Sequence, residues 1–141
     1  MIGTFQTITN ILKNDSTLTA TLPSNQIFVG SIDIVVEKQE NLLMPQANIF
    51  LVSESIRTVP AQISDIVIQL DLWSRNNQME IDIMYERILY LLNYLTTDFS
   101  NGHIYWSVLN GAADQFETFG RLWHRSSRFT IWQQLNFVPN I

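Results

Sequence analysis

Cysteine is absent from the 141 residues, which excludes disulfides, thiolate metal sites and a cysteine nucleophile. Glycine occurs only five times, and no phosphate-cradling Gly loop, dinucleotide fingerprint or G-x-S-x-G elbow is present. The two histidines, His103 and His124, have no His or Glu partner at the helical spacing used for metal ligation. No apolar run approaches the roughly 20 residues of a membrane span; even Ile81–Leu95 is broken by Asp82, Glu86 and Arg87. The opening MIGTFQTITNILK has no cation before Lys13 and does not read as a secretory signal. A soluble protein made in a cytoplasm is expected.

What is present is a globular composition: 46% apolar and 11% aromatic. One domain over 1–141 is expected, long enough to bury roughly 70% of its unfolded surface around a single core. The net charge of −5 argues against general affinity for nucleic acid, which needs a basic footprint. The charge is uneven: residues 1–60 carry −2, residues 61–100 carry −4 and residues 101–141 carry +1. Arg121, Arg125 and Arg128 crowd into one segment. Opposite-sign regions suit pairing with further copies or with a complementary partner; scattered solvated charge is the plainer reading.

Ile2, Phe5, Ile8 and Leu12 recur at helical spacing, ending at Asn14 and Asp15. Asp15 or Ser16 can cap a turn over 17–22, which Pro23 stops. Residues 26–29 read as a short strand halted by Gly30. Residues 30–46 form a long loop with at most one strand, Ile32–Val36, inside it. Ala47–Val52 is a strand, and a linker around Val59-Pro60 leads to the strand Ile63–Trp73. There Ile66, Ile68, Leu70 and Leu72 share one face, while Val67, Gln69, Asp71 and Trp73 share the other, as in an antiparallel sheet covered on one side.

The grammar then changes. Asn77 can cap a helix, with Glu80 completing a capping box. Ile81, Met84, Tyr85, Ile88, Leu92 and Leu95 form its main apolar stripe, and Ile83, Leu89, Leu91 and Tyr94 widen it. An arc that broad suits deep burial or cover by a second subunit. Turn signals at Asn101-Gly102 and Asn110-Gly111 bracket a strand Ile104–Leu109. Phe119-Gly120 turns the chain into a final strand, Leu122–Gln133, with Trp123, Phe129 and Ile131 on one face. Residues 134–141 are expected to be a C-terminal arm.

No catalytic or metal-binding set emerges, and no cofactor is expected. Asp82 and Glu86, one turn apart, are the only paired carboxylates of note, and on an exposed helix such pairs are usually solvated. The segment RLWHRSSRF (121–129) places Arg121 and Arg125 on one strand face with Trp123 between them, and Arg128 on the other. Its Trp-plus-Arg character fits a protein interface, an exposed edge strand or a nucleic-acid contact. Arg121, Trp123, Arg125 and Arg128, with Trp73 and Arg75, are the candidate subunit or partner interface. A small enzyme or ligand site would need His103 or His124 to converge with Asp114 and Glu117.

The order of elements, above all VIQLDLWSRNNQMEIDIMYERI with its Trp73-Ser74 junction and the terminal HRSSRFTIW, resembles the tail-completion or tail-terminator proteins of tailed bacteriophages. The resemblance implies an α+β fold, a single compact domain whose mixed or mostly antiparallel sheet is packed by a long central helix and an N-terminal helix. It also implies a homo-oligomeric ring, a hexamer, on the head-proximal end of the tail tube. Such a ring ends tube polymerisation and meets the neck or connector protein. DNA would pass through without specific binding, with Asp82 and Glu86, or the acids of 61–71, facing the lumen. The protein would reside in the virion after assembly in the host cytoplasm. A neck or head-completion adaptor binding the portal side is the alternative within the same particle.

Overall fold

The computed structural model describes residues 2–30, 43–58, 63–99, 102–117 and 122–135. The Ile32–Val36 strand, the Val59-Pro60 linker, the Phe119-Gly120 turn, Arg121 and residues 136–141 lie outside them. Helix α1 (Ile2–Lys13) is followed by a single-turn helix α2 (Ser16–Thr19) and strand β1 (Ile27–Val29). Strands β2 (Gln46–Thr58) and β3 (Ile63–Ser74) precede helix α3 (Gln78–Leu92). Strands β4 (Thr97–Phe99), β5 (Gly102–Glu117) and β6 (Leu122–Leu135) complete the chain order. The expected loop over 30–46 therefore yields Gln46 to β2, and the expected arm over 134–141 yields Gln134 and Leu135 to β6.

The strands form one six-stranded sheet in the order β1-β2-β3-β6-β5-β4. Only β1 and β2 run parallel; every other pair is antiparallel. The three described α-helices share one core cluster with the sheet: Ile8 and Leu12 of α1, Leu18 of α2, and Ile81, Met84, Ile88 and Leu92 of α3 meet Ile66, Ile68, Leu70, Leu72, Phe129 and Ile131. The helices thus cover one sheet face, as the alternation in β3 and β6 implies. The fold is α+β, as expected. Among the described residues no helix is long and apolar enough to cross a membrane.

Local chemistry sets the element ends. Asp15 caps α2, accepting from the Leu18 N–H at 2.8 Å, and binds Arg87 of α3 through two contacts of 2.8 and 2.9 Å. Asn77 caps α3 by accepting from the Glu80 N–H at 2.8 Å. The box is only half made: the Glu80 carboxylate accepts instead from Ser74 Oγ and Asn76 Nδ2, pinning the strand–helix junction. Helix α3 stops at Leu92, short of the apolar periodicity that runs to Leu95. Tyr94 takes a left-handed backbone, φ 62°, a conformation costing roughly 1 kcal/mol for a residue with a Cβ. Its N–H donates to the Ser107 carbonyl, and Asn93 Oδ1 accepts from the Leu109 N–H at 3.1 Å. These contacts fasten the helix end to β5.

Two strand ends need correction. Asn110-Gly111 is no turn: β5 continues through it with a register shift between Leu109 and Gly111, the bulge that a Gly following Asn accommodates. Strand β2 likewise runs six residues beyond Val52, with shifts at Leu51/Ser53 and Ile56/Thr58.

The ion pair between Asp15 and Arg87 makes a prediction about pH. The guanidinium of Arg87 holds the Asp15 carboxyl down at about 2, against about 3.9 for an unfolded chain. A depressed carboxyl stabilises the fold above the unfolded value, and that contribution disappears as pH falls toward 2. Asp15→Asn keeps a capping side chain but loses the charge. Its melting temperature should fall below that of the parent at pH 6 and converge with it by about pH 2, read by circular dichroism.

Candidate interaction surfaces

Strand parity divides the expected interface set. Trp123 and Arg125 lie on the helix-covered face of β6. Trp123 packs against Phe116 with ring centroids 4.7 Å apart. Arg125 donates to Asp114 at 2.6 and 3.0 Å and to Asp82 at 2.6 Å, and stands over the Tyr85 ring 4.7 Å from its centroid. Gln78 Nε2 adds a further contact to Asp114 at 3.0 Å. The hydrogen bonds from Arg125 hold the Asp114 carboxyl below its usual range, and the two carboxylates raise Arg125 itself. Desolvation pushes the Tyr85 hydroxyl up. Arg125 is thus engaged within its own chain, joining β6, β5 and α3, and so is the carboxylate of Asp82.

On the opposite sheet face, Trp73 is buried and stacks on His124 with centroids 3.7 Å apart and planes within 6°. His124 Nε2 lies 3.4 Å from Asp71 Oδ1. Burial of Asp71 works against its charge, but hydrogen bonds from His124, Gln69 and Ser126 outweigh it and keep the carboxyl below the usual range. Arg128 is exposed on this face and donates to Gln69 Oε1 at 3.1 Å. It also lines a groove of about 300 Å³ with Asn110, Gly111, Ala113 and Ser126. Arg75 is exposed in the turn after β3.

The alternative lumen acids fall on opposite layers. Asp82 and Glu86 are exposed on α3, whereas Asp65 and Asp71 belong to the far sheet face, where Asp71 is buried. Of the residues an enzyme site would need, the described His103, His124 and Asp114 each face different neighbours. His103 contacts Asp98 beside β4, His124 pairs across strands with Gln115, and Asp114 faces the helices. Among the described residues no group of three His, Asp or Glu side chains could hold a metal ion.

Two further surfaces are present: the first, on α3, is the one its broad apolar arc led us to expect, and the second is new. Helix α3 exposes Met79, Ile83 at 52% and Tyr90 at 74%, with Arg87 set over the Tyr90 ring at 4.5 Å. The broad apolar arc was the signal for this surface. On the sheet face, Tyr105, Trp106 and Trp132 form an aromatic group with centroid distances of 5.2 and 6.1 Å from Trp132. The Tyr105-Trp106 pair facing Ile131-Trp132 across strands was legible only once the β5–β6 register was known.

No protein-family model matches the chain. No curated protein matches it by sequence either. In structure it is similar to a chain of the virion of a native gene transfer agent (GTA) particle, with a TM-score of 0.70 at 9% identity, covering 90% of this chain and 91% of that one. The two share a fold over nearly their whole lengths.

Proposed function

We propose that this chain is a structural virion protein that forms a ring, a hexamer, at the head-proximal end of a phage-type tail. There it ends tube polymerisation and joins the tail to the neck or connector protein. The carrying observation is the shared fold, across nine-tenths of both chains, with a component of a phage-like virion. The exposed apolar face of α3 supports the reading, because side chains such as Ile83 and Tyr90 are left for a partner to cover. In this reading Arg75 and Arg128 are the partner-facing cations, and Arg125 acts within the subunit. Glu86 lines the channel if the helix layer turns inward. The ring contacts itself, the tube protein and the neck protein, and DNA passes without specific binding.

The test is negative-stain electron microscopy of particles made after deletion of this gene from the genome that encodes it. Tail tubes of uncontrolled length are the expected result. Tails of normal length beside unjoined filled heads would replace the terminator reading with the neck adaptor.

A further inference from the structure

The two margins of the sheet are each half covered, and the open halves lie at diagonally opposite corners. Strand β1 pairs with β2 only over Ala47–Ile49, and β4 pairs with β5 only over Gly102–Ile104. Beyond β4, the outward groups of β5 are taken by the chain leaving α3: Ser107 O by the Tyr94 N–H, Tyr105 O by Thr96 Oγ1, and Leu109 N–H by Asn93 Oδ1. From Asn110 to Glu117 on one margin, and from Phe50 to Thr58 on the other, no described strand lies alongside. Natural sheets usually blunt such margins with Lys or Pro, or keep them very short. Neither segment contains Lys or Pro, and each exposes apolar side chains, Leu51 and Val52 on β2 and Phe116 on β5. The one acid of 110–116, Asp114, is already bound by Arg125 and Gln78.

We infer that copies of this chain join head to tail by antiparallel pairing of the 50–58 margin of one copy with the 110–117 margin of the next. The directions fit: β2 runs antiparallel to β3, β3 to β6 and β6 to β5, so β2 and β5 are opposed in copies set side by side in the same orientation. Antiparallel pairing of β5 with β5, centred on this margin, would bring the two copies of Asp114 into neighbouring positions, which is unfavourable. Segment 50–58, by contrast, is neutral overall, with Glu54 and Arg57. The inference rests on the ring reading, since a ring closes only through two different surfaces.

The absence of cysteine permits a direct test. Ser53, Ser55, Ala113 and Gln115 lie on the sheet face away from the helices. Variants Ser53→Cys or Ser55→Cys are mixed with Ala113→Cys or Gln115→Cys and oxidised. At least one of the four mixtures should give disulfide-linked dimers, because paired strands bring Cα atoms within roughly 4.4–6.8 Å. Single variants alone should not. The N–H of Ala112 points away from β6, since Leu109 N–H does so and the bulge adds one residue between them. Ala112→Pro in the Cys background should therefore leave the melting temperature nearly unchanged while lowering cross-linking at least about tenfold. Equal cross-linking within single-variant samples, no cross-link in any mixture, or full cross-linking with Ala112→Pro would each overturn the pairing. Tail lengths in the deletion strain report on the terminator reading separately. Lost cross-links with overlong tails remove only this contact, and retained cross-links with normal tails remove only the terminator role.

Discussion

Phe129→Ala is expected to cost about 3–5 kcal/mol of folding stability. Phe129 is fully buried in the middle of β6, paired with Ile68 on one side and Leu109 on the other. Its ring belongs to the cluster that joins the sheet to the helices. Removing it deletes apolar contact from the strand on which both halves of the sheet depend, and backbone hydrogen bonds on both sides hinder collapse of the cavity. A domain of this size has a total stability of about 5–15 kcal/mol, so the variant should stand near the limit of folding at 37 °C. Urea denaturation would show the midpoint shift. A loss below about 1 kcal/mol would mean that the site relaxes freely and that β6 is not the structural centre.

Gly102→Ala should be the second-largest effect. A Cβ built on Gly102 would lie 2.1 Å from the carbonyl oxygen of Gln134 and 2.8 Å from the Phe99 ring. The same ring lies 2.8 Å from the Cβ position of Gly3 in α1. Phe99 thus occupies the space left by two missing methyl groups, and it cannot retreat from one without pressing on the other. The Gln134 contact is to backbone, so relief requires the β5–β6 ladder to part at this end. About 2–3 kcal/mol is expected for overpacking of this kind, a fall of roughly 6–12 °C in melting temperature. Gly111→Ala is the control: its Cβ would meet nothing within 4 Å, and it should melt close to the parent.

Much of the fold was legible because β3, β6 and the start of α3 obey simple periods. Ile66, Ile68, Leu70 and Leu72 alternate, and Asn77 caps the helix as its side chain suggests. The errors have physical causes. SESIRT (53–58) shows no apolar alternation, and the exposure of Ser53, Glu54 and Ser55 means that no described helix covers that stretch of β2, so neither face there selects apolar residues. Asn110-Gly111 carries a turn dipeptide, but the neighbouring strand β6 continues past it and holds the pair in a bulge. The end of α3 was hidden because Tyr94, an apolar-stripe residue by spacing, is pulled into a left-handed backbone by Ser107, which follows it by thirteen positions. The parity that sets Trp123 and Arg125 on one face of β6 and Arg128 on the other was legible. What Arg125 binds was not, because Asp82 and Asp114 come from two other elements.

The strand order also bears on how the chain can be made. Strand β6 is the last described element, yet it sits between β3 and β5. Until it emerges from the ribosome, the nascent chain holds two separate pieces of sheet, β1-β2-β3 and the short β4-β5 pair. At 5–20 residues per second, the inner margin of β3 waits roughly 2–10 s for its partner. During that interval β3 is paired by β2 on one margin only, and its other margin presents unpaired backbone groups between the Ile66, Ile68, Leu70 and Leu72 side chains. Chaperone occupancy during synthesis should therefore be highest between completion of β3 and emergence of β6, and fall sharply once Phe129 has cleared the exit tunnel.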